Sequence, residues 1–105
     1  MTPSETLPIV YKMKYNIIPS PEPCTEAGWQ AFQYQLEKPV SRELIMALRP
    51  LGSLVFLETL AQPFFKIENQ HYFIKGLLND GSIRIAVHIE HFDEQKTIKK
   101  LIESL

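Results

Sequence analysis

Glu68, His71, His88 and Glu90 fall in three neighbouring runs of alternating apolar and polar residues, and His91 follows directly. Imidazole titrates near neutrality and is the commonest protein metal ligand. Two histidines beside carboxylates can hold a divalent transition metal or carry out acid–base chemistry. The spacing itself is no signature: there is no His-x-x-x-His repeat and no cysteine pair. The plainer reading is a hydrated polar end of a sheet with ordinary His–Glu contacts. It is preferred here, with no metal ligand and no cofactor assigned. His71, His88, Glu68 and Glu90 stay the catalytic candidates, and no motif fixes a reaction for them.

Two other groups carry reactive or binding residue types. Cys24 stands between Pro23 and Thr25 at an expected helix start, a position that can activate a thiol. No base is implied nearby, so it reads as a small, partly buried apolar residue. Lys66, Lys75 and Arg84 lie among Phe64 and Phe73, the arrangement with which some sheets stack single-stranded nucleic acid. Glu58, Glu68 and Glu90 offset the positive charge. With Phe56 and Leu77, the same residues fit a protein interface or a small-ligand surface better. The glycines form no phosphate-binding loop.

The elements that must position these groups follow from periodicity and turns. Asp80-Gly81 separates two apolar-rich runs and predicts a two-residue hairpin turn. Asn69-Gln70 is a second two-residue turn, and Ala61-Gln62-Pro63 a three-residue loop. Together they predict a four-strand antiparallel meander over residues 53–90. In that register Tyr72 faces Ile67 and Ile89, Ile74 faces Val87, Gly76 faces Ile85, and Leu57 faces Ile67. One face then collects Val55, Leu57, Phe65, Ile67, Tyr72, Ile74, Leu78, Ile83, Ile85, Val87 and Ile89. The other is mixed, with Leu54, Phe56, Phe64, Phe73 and Leu77 among charges, Glu58 opposite Lys66, and His71 opposite Glu68 and Glu90. Gly76 would leave a gap on the apolar face for an aromatic such as Trp29.

The rest of the chain supplies cover for that sheet. Residues 1–7 are polar and expected to fray. Ile9 to Ile18 alternate and predict a further strand. Pro19, Pro21 and Pro23 make a stiff extended connector. Trp29, Phe32 and Leu36, after the possible cap Thr25, predict a helix over 26–37, although Phe32–Tyr34 also suits a strand. Ser41 caps a short helix with Leu44, Ile45 and Leu48 on one side, stopped by Pro50 and Gly52. Asp93 and Phe92 open a C-terminal amphipathic helix carrying Ile98, Leu101, Ile102 and Leu105.

These elements predict one α+β domain over residues 1–105: a two-layer fold with the meander, an N-terminal strand, two helices before the meander and one after it. With 45% hydrophobic residues the chain can build a core without disulfides. The net charge of −1 argues against a nucleic-acid surface. One cysteine, no secretory signal pattern and no apolar run long enough for a bilayer predict a cytoplasmic protein with no membrane partner. The functional expectation is a non-enzymatic module that binds a protein partner, or a second copy, through the mixed face. The alternative is a small-ligand-binding protein or enzyme with the His/Glu site at one end of the sheet.

Overall fold

The computed structural model describes residues 13–21 and 27–105. Six antiparallel strands form one sheet: β1 (Tyr15–Pro19), β2 (Trp29–Leu36), β3 (Ser53–Leu57), β4 (Phe64–Glu68), β5 (Tyr72–Leu77) and β6 (Ser82–His88). Their spatial order is β1-β2-β6-β5-β4-β3. Helix α1 (Arg42–Leu48) runs into a 3-10 turn, Arg49–Leu51, before β3. A second 3-10 stretch, Ile89–Glu94, leads from β6 into helix α2 (Gln95–Glu103). The chain thus makes a hairpin, crosses to the far edge through α1, and returns as a meander that ends against β2.

Both helices lie on one face of the sheet. Leu44, Ile45 and Leu48 of α1 and Ile98 and Ile102 of α2 share a core with Tyr34, Phe65, Ile67, Tyr72, Ile74, Ile83, Ile85 and Val87. Each large aliphatic side chain taken fully out of water there stabilises the fold by about 1.5–3 kcal/mol relative to exposure. Ser41 caps α1 as expected, its hydroxyl accepting the Leu44 N–H at 3.1 Å. Asp93 does not cap the last helix. The chain enters α2 from the 3-10 stretch, and its N-cap, Glu94, makes no side-chain cap bond.

The expected helix over 26–37 is a strand. Trp29, Phe32 and Leu36 have helical spacing, but Phe32, Tyr34 and Leu36 also alternate. Pairing with both β1 and β6 decides in favour of the strand. Gly28 takes φ +84°, which breaks a helix running through it. The possible cap Thr25 lies outside the described residues, as do Cys24, Pro23 and the first part of the strand expected from Ile9. The described part of that strand, β1, pairs with β2, and β2 covers the free side of the meander.

Three turns differ from expectation, with different consequences. At the β4–β5 turn Asn69 Oδ1 accepts the N–H of His71 and of Tyr72, so the loop is Gln70-His71 and Ile67 pairs with Ile74. At the β5–β6 turn Asp80 N–H closes on the Leu77 carbonyl and Asn79 takes φ 70°. Val40 holds that turn by bonding Asn79 and Asp80 through its backbone, so Gly76 pairs with Ile83 and Tyr72 with Val87. Both registers shift by two residues, and side chains keep their faces. The β3–β4 loop spans residues 58–63, longer than expected by an odd number, so β3 turns over. Leu54 and Phe56 pack against the core, while Val55 and Leu57 are 49% and 44% exposed. Ile89, beyond β6, is 55% exposed. Gly76 leaves no gap for Trp29: a Cβ there would meet Phe65 at 3.0 Å and Ile83 at 3.1 Å, and Trp29 sits on the opposite face.

Three tyrosines tie stability to alkaline pH. Tyr15 donates to Glu103 Oε2 at 2.5 Å, and burial, then this carboxylate, pushes its phenol from 10.0 up to about 12. Burial pushes Tyr34 up as well, and Tyr72 rises for the same first reason. A phenol raised in the folded state contributes stability that is full below its unfolded value and disappears as pH passes the folded one. The urea midpoint is therefore expected to fall as pH climbs from 10 toward 12, and Tyr15→Phe to flatten the first part of that fall. A midpoint unchanged across this interval would contradict the assignment.

Candidate functional site

The histidine end of the sheet is assembled from a turn and a kinked 3-10 stretch. His71 is held on both sides, its N–H by Asn69 Oδ1 at 2.8 Å and its carbonyl by the His88 N–H at 2.9 Å. Asn69 Nδ2 in turn donates to the Leu51 carbonyl. His91 takes φ −128° and ψ 26°, a break within the 3-10 stretch that swings its ring onto His71. The two rings stack with centroids 3.7 Å apart. Glu94, one turn on, places Oε2 at 2.6 Å from His71 Nδ1 and 3.0 Å from His91 Nδ1. Gln95, next in sequence, is buried, and its side chain meets Tyr34 and the Phe92 carbonyl, so Glu94 stands on an anchored segment.

The other expected members of this group are elsewhere. His88 Nδ1 accepts the Glu90 N–H at 3.2 Å, and its ring stands edge-on to Trp29, 5.9 Å from that of His91. Glu68 is exposed and pairs with Lys66 at 3.6 Å, not with His71. Glu90 is exposed as well. The carboxylate that meets the histidines is Glu94. His91-x-x-Glu94 at a helix entrance is the one sequence signal that points to it.

The second candidate is the sheet face turned away from the helices. Among the described residues no helix covers it. Phe64, Lys66, Phe73, Lys75 and Arg84 share it, as expected, and Trp29 joins them because residues 29–36 are a strand. Trp29 stacks on Phe73 with centroids 6.3 Å apart. The ammonium groups of Lys66 and Lys75 lie 5.3 and 5.8 Å from the Phe73 ring centre, within cation–π range. Phe56 is on the helix side, where the Arg42 guanidinium lies over its ring. Glu58 pairs with Arg42 at the surface and not with Lys66. Exposed Val55 and Leu57 replace Leu54 and Phe56 on this face.

Charge is ordered along the face. Lys66 stands directly across from Lys75, and Lys75 directly across from Arg84. Beside this row a concavity of about 380 Å³ is lined by Phe64, Lys75, Arg84, Gln33, Ser82 and Ser20. Among the described residues no helix is long and apolar enough to cross a membrane. No protein-family model matches this chain, and comparisons with curated proteins and with solved structures find no significant match.

Proposed function

We propose that this chain is a non-enzymatic, cytoplasmic binding module whose open sheet face receives an acidic protein partner. The row Lys66–Lys75–Arg84 carries the reading. Like charges directly opposite one another in a sheet cost stability, and here three cations occupy successive cross-strand positions. Carboxylates of a partner would offset that cost at Lys75 and add to the contacts that Lys66 and Arg84 already make within the chain, while Trp29, Phe64, Phe73, Val55 and Leu57 would supply the apolar area around them. A second copy is less suited, because a two-fold axis through the row would set it against its own image. A nucleic acid is less suited too, because a polyphosphate backbone needs a longer run of cations than this row of three, one of them already paired with Glu68, supplies on a chain of net charge −1. The lone cysteine accords with a reducing compartment.

The chain has one tryptophan, Trp29, and it sits on this face. Titrating a Glu- and Asp-rich peptide at low salt is expected to change Trp29 fluorescence saturably. Lys75→Glu is expected to weaken the effect at least about tenfold, and added salt to weaken it progressively. Light scattering on the wild type and on Phe73→Glu separates the occupants. A dimer that this substitution dissociates would replace the acidic partner with a second copy. A flat fluorescence titration would remove the proposal.

A further inference from the structure

The geometry points to a divalent transition-metal site of the zinc class formed by His71, His91 and Glu94. It is independent of the sheet-face reading, since none of the three belongs to the row of cations or its aromatic neighbours. Two imidazoles and a carboxylate are borderline donors suited to zinc, cobalt or nickel more than to calcium or magnesium. The three donor atoms all lie within 4.8 Å of one another. Donors bound tetrahedrally to one cation at about 2.0–2.2 Å stand roughly 3.4 Å apart. The two nitrogens already lie 2.6 and 3.0 Å from the same carboxylate oxygen. The two rings, stacked within 12° of parallel, must turn out of their stack to aim both Nδ1 lone pairs at one cation, and the carboxylate must draw back from direct contact with them.

The supporting shell is built for a fixed site. The Asn69 side chain and the His88 N–H hold the backbone at His71. Gln95 anchors the segment that carries His91 and Glu94. Coordination through Nδ1 requires each imidazole neutral with its ring proton on Nε2. The three side chains are between 34% and 41% exposed, so solvent can reach the ion. Three protein ligands leave open coordination positions, as in centres that bind water or a further ligand and unlike closed four-ligand structural zinc sites. His88 is not among the residues whose donor atoms converge here, and its Nδ1 accepts the Glu90 N–H.

Calorimetric titration of the full chain with Zn²⁺, and visible absorption with Co²⁺, tests the site. The expected result is one saturable ion per chain, with a cobalt spectrum and paramagnetic broadening of the His71 and His91 ring signals ahead of those of His88. His91→Ala and Glu94→Gln should each weaken binding at least about tenfold. His88→Ala and Cys24→Ser should keep wild-type affinity. All four substitutions are to be checked for retained fold by amide spectra, and Glu94→Gln, which keeps shape and hydrogen bonding, guards against a folding defect. No saturable binding would overturn the inference, as would binding that survives His91→Ala and Glu94→Gln or is lost in Cys24→Ser.

Discussion

Gly52→Ala is expected to lower the unfolding free energy by about 3 kcal/mol, the upper end of ordinary overpacking costs. The backbone conformation is not the reason, because φ of 177° is extended and open to any residue. The reason is proximity. A Cβ on Gly52 would lie 2.3 Å from the Glu68 carbonyl oxygen and 2.7 Å from its carbon. These are backbone atoms at the end of β4 and cannot rotate aside. Relief requires the 3-10 turn after α1 to move away from the β4–β5 turn. The Asn69 Nδ2 bond to the Leu51 carbonyl, at 2.8 Å, spans that junction and would be stretched or lost. Since the same asparagine holds the His71 N–H, the His71–His91 stack should loosen too. Thermal unfolding reads the first effect as a fall of more than about 10 °C for a domain of this size. A change within about 0.5 kcal/mol, the range of ordinary surface substitutions, would show that the junction yields freely.

Tyr34→Phe is expected to cost about 2 kcal/mol although it removes one oxygen. The Tyr34 side chain is fully buried and donates to Gln95 Oε1 at 2.6 Å, while Gln95 is 9% exposed. Phenylalanine would leave the glutamine carbonyl buried without that donor, and the desolvation penalty of such a group is about 1–3 kcal/mol. Gln95→Leu should cost a similar amount by stranding the hydroxyl. Combining Tyr34→Phe with Gln95→Leu removes both partners, so the pair should cost much less than the two singles added together. Urea midpoints of the four proteins measure this coupling. Strictly additive losses would mean that the bond does not join β2 to the start of α2.

Much of the fold was legible because hydrophobic alternation survives errors of turn placement. Moving the β4–β5 and β5–β6 turns shifted pairing by two residues, and Phe65, Ile67, Tyr72, Ile74, Ile83, Ile85 and Val87 still reached the core. The loop at 58–63 erred by an odd number, and Val55 and Phe56 exchanged sides. Nothing local could correct this, since Leu54, Val55, Phe56 and Leu57 are all apolar. Residues 29–36 satisfy helical and strand periods alike, and only pairing with β6, distant in sequence, chooses between them. The candidate sites inherit these limits. Phe64, Phe73, Lys66, Lys75 and Arg84 were legible as one face because their strands kept parity. Trp29 was not, because its spacing with Phe32 and Leu36 is that of a helix as well. His71 was legible as a site residue, whereas Glu94 depends on the kink at His91, which no periodicity encodes.

The most direct test of the sheet face as the binding surface is amide chemical-shift mapping at low salt while a Glu- and Asp-rich peptide is added. The expected result is a contiguous set of shifts on β4, β5 and β6 around Lys66, Lys75 and Arg84, extending to Trp29, and abolished by Lys75→Glu with the fold intact. Shifts confined to the helix side of the sheet, or none at all at low salt, would contradict the account.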